Sequence, residues 1–185
     1  MHLDVPYKFL DLQVDEALLN FDFDSISLEE WADFTGLKDS LFVFKDIYTR
    51  RVFGPGGGAW HDVSLIKNLI YFHTESPLNL LLLNEVSKLE KLYNAIAIIG
   101  TLDGMPVGSK IHRHFDQSPI FKVTNRVHLP LVTHPDVKFF IDDVPYHFAA
   151  GQYFEFDNSR YHEVINNSPI FRIHLIVDLL PNPVN

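Results

Sequence analysis

The amino-acid sequence predicts a mainly β protein with flanking α-helices, built as an antiparallel sandwich or barrel of the jelly-roll kind. Three observations predict it. From residue 95 onward the chain reads as short apolar or alternating runs at near-regular spacing, turn-forming pairs separate those runs, and helical periodicity is confined to the front half. One domain over residues 1–185 is expected, with 1–94 mostly helical and 95–180 forming the β core.

In chain order, residues 14–20 and 27–34 have helical patterning, and Ser27-Leu28-Glu29-Glu30 has the form of a capping box, with Gly36 as a stop. Leu41-Phe42-Val43-Phe44 reads as a short strand, and residues 47–52 as a second extended piece. The glycine-rich stretch at 54–58 lacks a phosphate-loop ending, so it reads as a connection or a substrate loop rather than a nucleotide site. Residues 61–73 and 80–93 read as helices, the second through Leu82, Val86, Leu89 and Tyr93, a stripe suited to packing on a sheet. The β-branched run 95–102 is a buried strand, followed by a loop at 103–108. Further strands are expected at 126–133, 137–141, 145–149, 152–157 and 170–179, with Asp142-Asp143 and Ala150-Gly151 as turns.

Composition narrows the function. With 46% hydrophobic and 21% charged residues the chain has a soluble globular make-up, and 16 Phe and 7 Tyr favour ring-lined sheets and pockets. A net charge of -9 without a basic stripe argues against nucleic-acid binding. The absence of cysteine excludes disulfides, thiolate nucleophiles and zinc ribbons, leaving His, Asp and Glu as metal ligands. The first residues lack a secretion-signal pattern and no apolar run is long enough to span a bilayer, so a cytoplasmic protein without membrane association is the expectation. Oligomeric state is not readable.

The chemistry concentrates in Lys110-Ile111-His112-Arg113-His114-Phe115-Asp116. On one strand, His114 and Asp116 would point to the same face, and His162 would complete a 2-His-1-carboxylate set. Such a set leaves three open positions on an octahedral metal, which suits Fe(II) that must also hold a cosubstrate and O2. His112 leaves a second pairing open, because in a slipped register His112 and His114 share the face. Asp116 also admits a reading as a turn residue before Gln117-Ser118-Pro119. Iron of this kind needs a two-electron reductant, usually a 2-oxo acid, whose far carboxylate calls for a buried bidentate arginine. Arg172, ten residues after His162 in a strand-like run, fits that need. The composition of Asn166-Asn167-Ser168-Pro169 suggests a hairpin turn that would set His162 and Arg172 facing each other. Arg126 reads either as a surface ion-pair partner or as a residue facing a buried anion.

Several segments resemble the aspartyl/asparaginyl β-hydroxylase family, which includes bacterial hydroxylases of free proline. They are Asn125-Arg126-Val127-His128-Leu129-Pro130-Leu131, Gly151 followed by Phe156-Asp157-Asn158, His162-Glu163-Val164 and Phe171-Arg172-Ile173-His174-Leu175-Ile176-Val177-Asp178. The likeness spans roughly residues 95–180, in order and at similar spacing. It implies a cupin-like double-stranded β-helix with N-terminal helices packed on one sheet, Fe(II), and 2-oxoglutarate and O2 as cosubstrates. By motif position it implies His114 and His162 as histidine ligands, with the first ligand two residues before the acid, Asp116. It further implies Arg172 against the distal carboxylate of 2-oxoglutarate, and Arg126 with His128 at its other end. Family members acting on protein Asp and Asn can lack the carboxylate ligand, whereas those acting on free proline have it, so Asp116 leans toward small molecules. The expected reaction is hydroxylation of an unactivated C–H bond of an amino acid or a peptide side chain. The alternative is a metal-binding cupin-type protein, a binding module or pseudoenzyme, without 2-oxoglutarate turnover. Asp157, Asn158, Asn166 and Asp178 read as turn and hydrogen-bonding residues. His134, His147 and His174 receive no chemistry, and Arg51, Trp60 and His61 are suggested only by their glycine-rich neighbourhood.

Overall fold

The computed structural model describes residues 3–26, 48–54, 71–72 and 76–183. Strands β1 (Tyr7–Phe9), β2 (Tyr48–Gly54), β3 (Tyr71–Phe72), β4 (Ala95–Met105), β5 (Lys110–His114), β6 (Asn125–Val132), β7 (Val137–Ile141), β8 (Val144–Tyr146), β9 (Phe154–Phe156), β10 (His162–Asn166) and β11 (Arg172–Pro181) carry the fold. Helices α1 (Glu16–Leu19) and α2 (Pro77–Tyr93) accompany them. The strands form two antiparallel sheets, a major one in the order β1-β9-β6-β11-β4-β2-β3 and a minor one in the order β5-β10-β7-β8. This is the jelly roll that the strand spacing predicts.

The period-2 pattern of β11 explains how the major sheet serves two purposes. Ile173, Leu175, Val177 and Leu179 face outward into the core beneath α2, while Arg172, His174, Ile176 and Asp178 face the space between the sheets. Helix α2 starts where Ser76 Oγ accepts the Asn79 N–H and Pro77 takes the first turn, and it ends at Asn94, held at φ 45°. Its buried stripe, Leu78, Leu82, Val86 and Leu89, lies on the sheet, each side chain contributing roughly 1.5–3 kcal/mol by burial. One carboxylate sits in that stripe. Glu85, 0% exposed, accepts from the Tyr153 hydroxyl, from Lys88 Nζ at 2.7 Å and from the Asp15 N–H at 2.9 Å, so its charge is compensated. A second core, rich in phenylalanine, fills the space between the sheets around Phe139, Phe148, Phe154 and Phe156.

Several expectations need correction. β10 and β11 do not form a hairpin, since one belongs to the minor sheet and the other to the major sheet. Turn composition signals a reversal without saying which sheet receives the chain. Asn166 fixes the outcome, its Nδ2 donating to the carbonyls of Met105, Pro106 and Ile170 at 2.9, 3.1 and 3.0 Å while Oδ1 accepts from Ser168. Residues 103–105 continue β4 instead of opening a loop, because β11 pairs with all three and β2 pairs with Asp103 and Gly104 from the other side. Tyr71 and Phe72, read as helix, pair with β2. Three strands from the front half thus join the major sheet, including β1, which no sequence pattern announced. The readings at 27–34, 36, 41–44 and 61–70 lie outside the described residues. The expected turns are present: Asp142 and Asp143 take φ 49° and 66° between β7 and β8, and Gly151 takes φ 78° where a Cβ would meet Val14 at 3.1 Å. Among the described residues no helix is long and apolar enough to cross a membrane.

Candidate metal centre and its anion pocket

His114 closes β5 and His162 opens β10, and the two stand opposite each other in the antiparallel register with ring centroids 4.2 Å apart. Strand ends put both rings at the mouth of the sandwich. Asp116 lies just past the end of β5, so its convergence with His114 does not come from strand alternation as the sequence suggested. Its backbone N–H donates to the Asn158 carbonyl at 2.9 Å, which turns the side chain inward. Ligand atoms of His114, Asp116 and His162 all lie within 4.8 Å of one another. His112 is exposed and outside this group.

The rings are aimed by the main chain. His114 Nδ1 lies 2.7 Å from the His112 carbonyl and His162 Nδ1 lies 2.9 Å from the Arg160 carbonyl, so each Nδ1 carries the proton and each Nε2 keeps its lone pair. Burial pushes His162 down to about 4 despite the opposing pull of Asp116, which keeps the ring neutral at pH 7 as metal ligation requires.

Behind the carboxylate stands Arg126. It donates from Nε and Nη2 to the two oxygens of Asp178 at 2.9 and 2.8 Å, and from Nη1 to Asp116 Oδ2 at 2.6 Å. Burial alone disfavours its charge, but Asp178 and Asp116 outweigh burial and raise its pKa. Its guanidinium also lies 4.2 Å from the Phe121 ring centroid. Asn158 Nδ2 adds a contact to Asp116 Oδ2 at 3.2 Å, in keeping with its expected hydrogen-bonding role. Asp178 is more than a turn residue. It sits mid-strand, 1% exposed, directly opposite Arg126 in the β6–β11 register.

Deeper between the sheets the polarity reverses. Arg172 is 1% exposed, its Nε has no partner among the described residues, and burial lowers its pKa to about 9, only partly offset by Asp103. His128, from the same face of β6 as Arg126, is ringed by Phe139, Phe154 and Phe156, and its Nδ1 has no partner. Burial first, then the charges of Arg172 and Arg126, hold His128 neutral. A buried cation whose charge is offset only in part is destabilising unless a further anion joins it, which fits the far carboxylate of a 2-oxo diacid. The donor set fits the metal equally well, since two imidazoles and one carboxylate on one side of an ion leave three positions for a chelating cosubstrate and O2.

The six residues singled out from sequence therefore fall into two neighbouring groups, His114, Asp116, His162 and Arg126 at the mouth, Arg172 and His128 within. Two more buried polar residues share the inward face of β11 with Arg172. Asp178 and His174 follow Arg172 at strand period, and that spacing was the available signal. His134 pairs with Asp136 at 3.5 Å on the surface, and nothing in the structure gives it chemistry. The Arg51 side chain, Trp60 and His61 lie outside what the structure describes.

Solved structures share this architecture. An oxidoreductase of the 2OG-Fe(II) oxygenase family from Burkholderia pseudomallei superposes with a TM-score of 0.54 at 16% identity, over 74% of this chain and 69% of that one. The viral collagen prolyl hydroxylase of Paramecium Bursaria Chlorella virus-1, solved with 2OG, superposes with a TM-score of 0.58 at 6% identity, over 97% of this chain and 98% of that one. At such identities the likeness is one of fold. No curated protein matches the chain in sequence. The model of the aspartyl/asparaginyl beta-hydroxylase family matches residues 55–181, reaching well upstream of the resemblance legible from motifs alone, and the chain belongs to that family.

Proposed function

We propose that the protein is a single-domain Fe(II)- and 2-oxoglutarate-dependent dioxygenase that hydroxylates an unactivated C–H bond of an amino acid or a peptide side chain. The observation that carries this reading is the convergence of His114, Asp116 and His162, together with a buried arginine whose Nε has no partner and whose charge Asp103 offsets only in part. When bound, Fe(II) with 2-oxoglutarate and O2 supplies the oxidation, giving succinate, CO2 and a hydroxylated product.

The chain's own residues do the positioning. His114 and His162 present Nε2 lone pairs, and Asp116 contributes Oδ1 while Arg126 and Asn158 hold Oδ2. Arg172 pairs with the distal carboxylate of 2-oxoglutarate, and the phenylalanines around His128 keep water from the chelate. Three of the five Arg126 N–H groups are engaged by Asp178 and Asp116, and the others remain for the near end of the cosubstrate. His128 stands beside that end as a neutral donor. Substrate enters through a cavity of about 290 Å3 next to Asp116, where the Phe115 and Phe121 rings meet Lys122 and Asn158. Rings beside a cation and an amide suit an amphipathic amino acid or side chain. The cupin-type alternative gives no reason for a buried Arg172 or for Arg126.

The test is succinate formation from 2-oxoglutarate under air with added Fe(II). Slow uncoupled turnover is expected without substrate and none in His162→Ala; iron binding with no anaerobic optical response to 2-oxoglutarate would overturn the reading. Succinate release across free amino acids and short peptides then identifies the substrate.

A further inference from the structure

His174 lies two residues beyond Arg172 on β11, on the same face and about 6.8 Å along the strand. It is 2% exposed, and neither ring nitrogen has a hydrogen-bond partner. Its neighbours explain why. The rings of His128 and Phe154 stand edge-on at 5.8 and 6.2 Å, and its register partners on the flanking strands are Asp103 and Pro130. An imidazole is a poor filler of such a position. The next inward residue of the strand, Ile176, shows that an aliphatic side chain is accepted on this face, whereas a buried ring with an unmet donor and an unmet acceptor is destabilising.

A carboxylate offers about four lone-pair sites, and a bidentate arginine uses two of them. The remaining sites call for a donor beside the guanidinium that adds no second positive charge. A neutral imidazole on the same strand face provides one N–H at that place. Burial, then the Arg172 charge, then His128 and His147 hold His174 in its neutral form.

We propose that His174 donates a ring N–H to the distal carboxylate of the 2-oxo diacid that Arg172 holds, and so acts as a specificity-determining residue for the dicarboxylate cosubstrate. This rests on the reading of Arg172 given above.

Both are tested by anaerobic calorimetric titration of the full chain loaded with Mn(II), using 2-oxoglutarate and, as a 2-oxo acid lacking the distal carboxylate, pyruvate. His174→Phe is expected to weaken 2-oxoglutarate binding at least about tenfold. Pyruvate and Mn(II) affinities are expected to stay as in the wild type, and His174→Gln, which keeps an N–H donor, to recover most of the loss. Wild-type 2-oxoglutarate affinity in His174→Phe, with affinity lost in Arg172→Leu, overturns the role of His174 and leaves that of Arg172 standing. Unchanged affinity in Arg172→Leu removes both. A measurement on the wild type covers misfolding of the variants: in the Zn(II)-loaded protein, the His174 ring 15N signals are expected to move to a hydrogen-bonded N–H position with 2-oxoglutarate and not with pyruvate. Signals unmoved at saturation overturn the proposal.

Discussion

Arg126 and Asp178 face each other across the β6–β11 ladder and close a two-point ion pair, and the third arm of the same guanidinium reaches Asp116. Asp116, the carboxylate proposed as a metal ligand, is thus oriented by another carboxylate it never touches. In Asp178→Asn, the charge that fixes Arg126 is lost while the shape is kept. Metal affinity is expected to fall about 10–100-fold, the usual effect of removing a residue that orients a ligand. Anaerobic Mn(II) titration followed by electron paramagnetic resonance checks it; wild-type affinity would mean that Arg126 holds Asp116 without help.

Arg172 sets function against stability. Its guanidinium is buried with Nε unpartnered and its charge only partly offset by Asp103, so Arg172→Leu is expected to stabilise the metal-free protein by roughly 1–4 kcal/mol. The same change is expected to weaken 2-oxoglutarate binding about 100-fold. Thermal denaturation and anaerobic titration of one sample read both effects, and a lower melting temperature with intact cosubstrate binding would contradict the assignment.

His174 is expected to make the fold sensitive to acid. Its pKa in the folded state lies well below 6.5, through burial and then the charges of Arg172, His128 and His147. Below pH 6.5 the unfolded chain therefore takes up a proton that the folded chain refuses, and stability falls as pH falls. Urea unfolding between pH 6.5 and 5 is expected to show a dependence in His174→Phe that is shallower than in the wild type by roughly 1 kcal/mol per pH unit.

Asn166 guides the chain from the minor sheet to the major one. Its fully buried amide satisfies three carbonyls and accepts from both the N–H and hydroxyl of Ser168. Asn166→Ala leaves several buried groups unpaired and is expected to destabilise by about 2–4 kcal/mol in chemical denaturation. Asn166→Asp is expected to fare no better, since a carboxylate cannot donate to the carbonyls of Met105, Pro106 and Ile170.

Strands in the second half were legible because alternation along one strand is a local property, and β7 was readable to its ends. The convergence of His114, Asp116 and His162 was legible for a different reason: few residue types can ligate a metal in a chain without cysteine, and the family motifs set their order. What escaped depends on register. The pairing of Arg126 with Asp178 joins positions 52 residues apart, and nothing in either strand alone names the other. His174 was set aside because a histidine in a strand is usually ordinary, and its isolation becomes visible only once the neighbouring strands are in place. The hairpin expected between His162 and Arg172 failed likewise, since the bonds of Asn166 reach back to residues 105 and 106.

The ring-to-carbonyl contacts of His114 and His162 are made to their own main chain, two residues upstream in each case. These contacts depend on the main chain rather than on another side chain, and they orient the two imidazoles without any ion. A metal site prepared in this way would not distinguish well among first-row divalent ions, so on the proposed reading a choice of iron would rest on cellular supply rather than on shape. On the proposed reading, cobalt or manganese is therefore expected to bind at His114, Asp116 and His162 and to report its coordination spectroscopically without turnover.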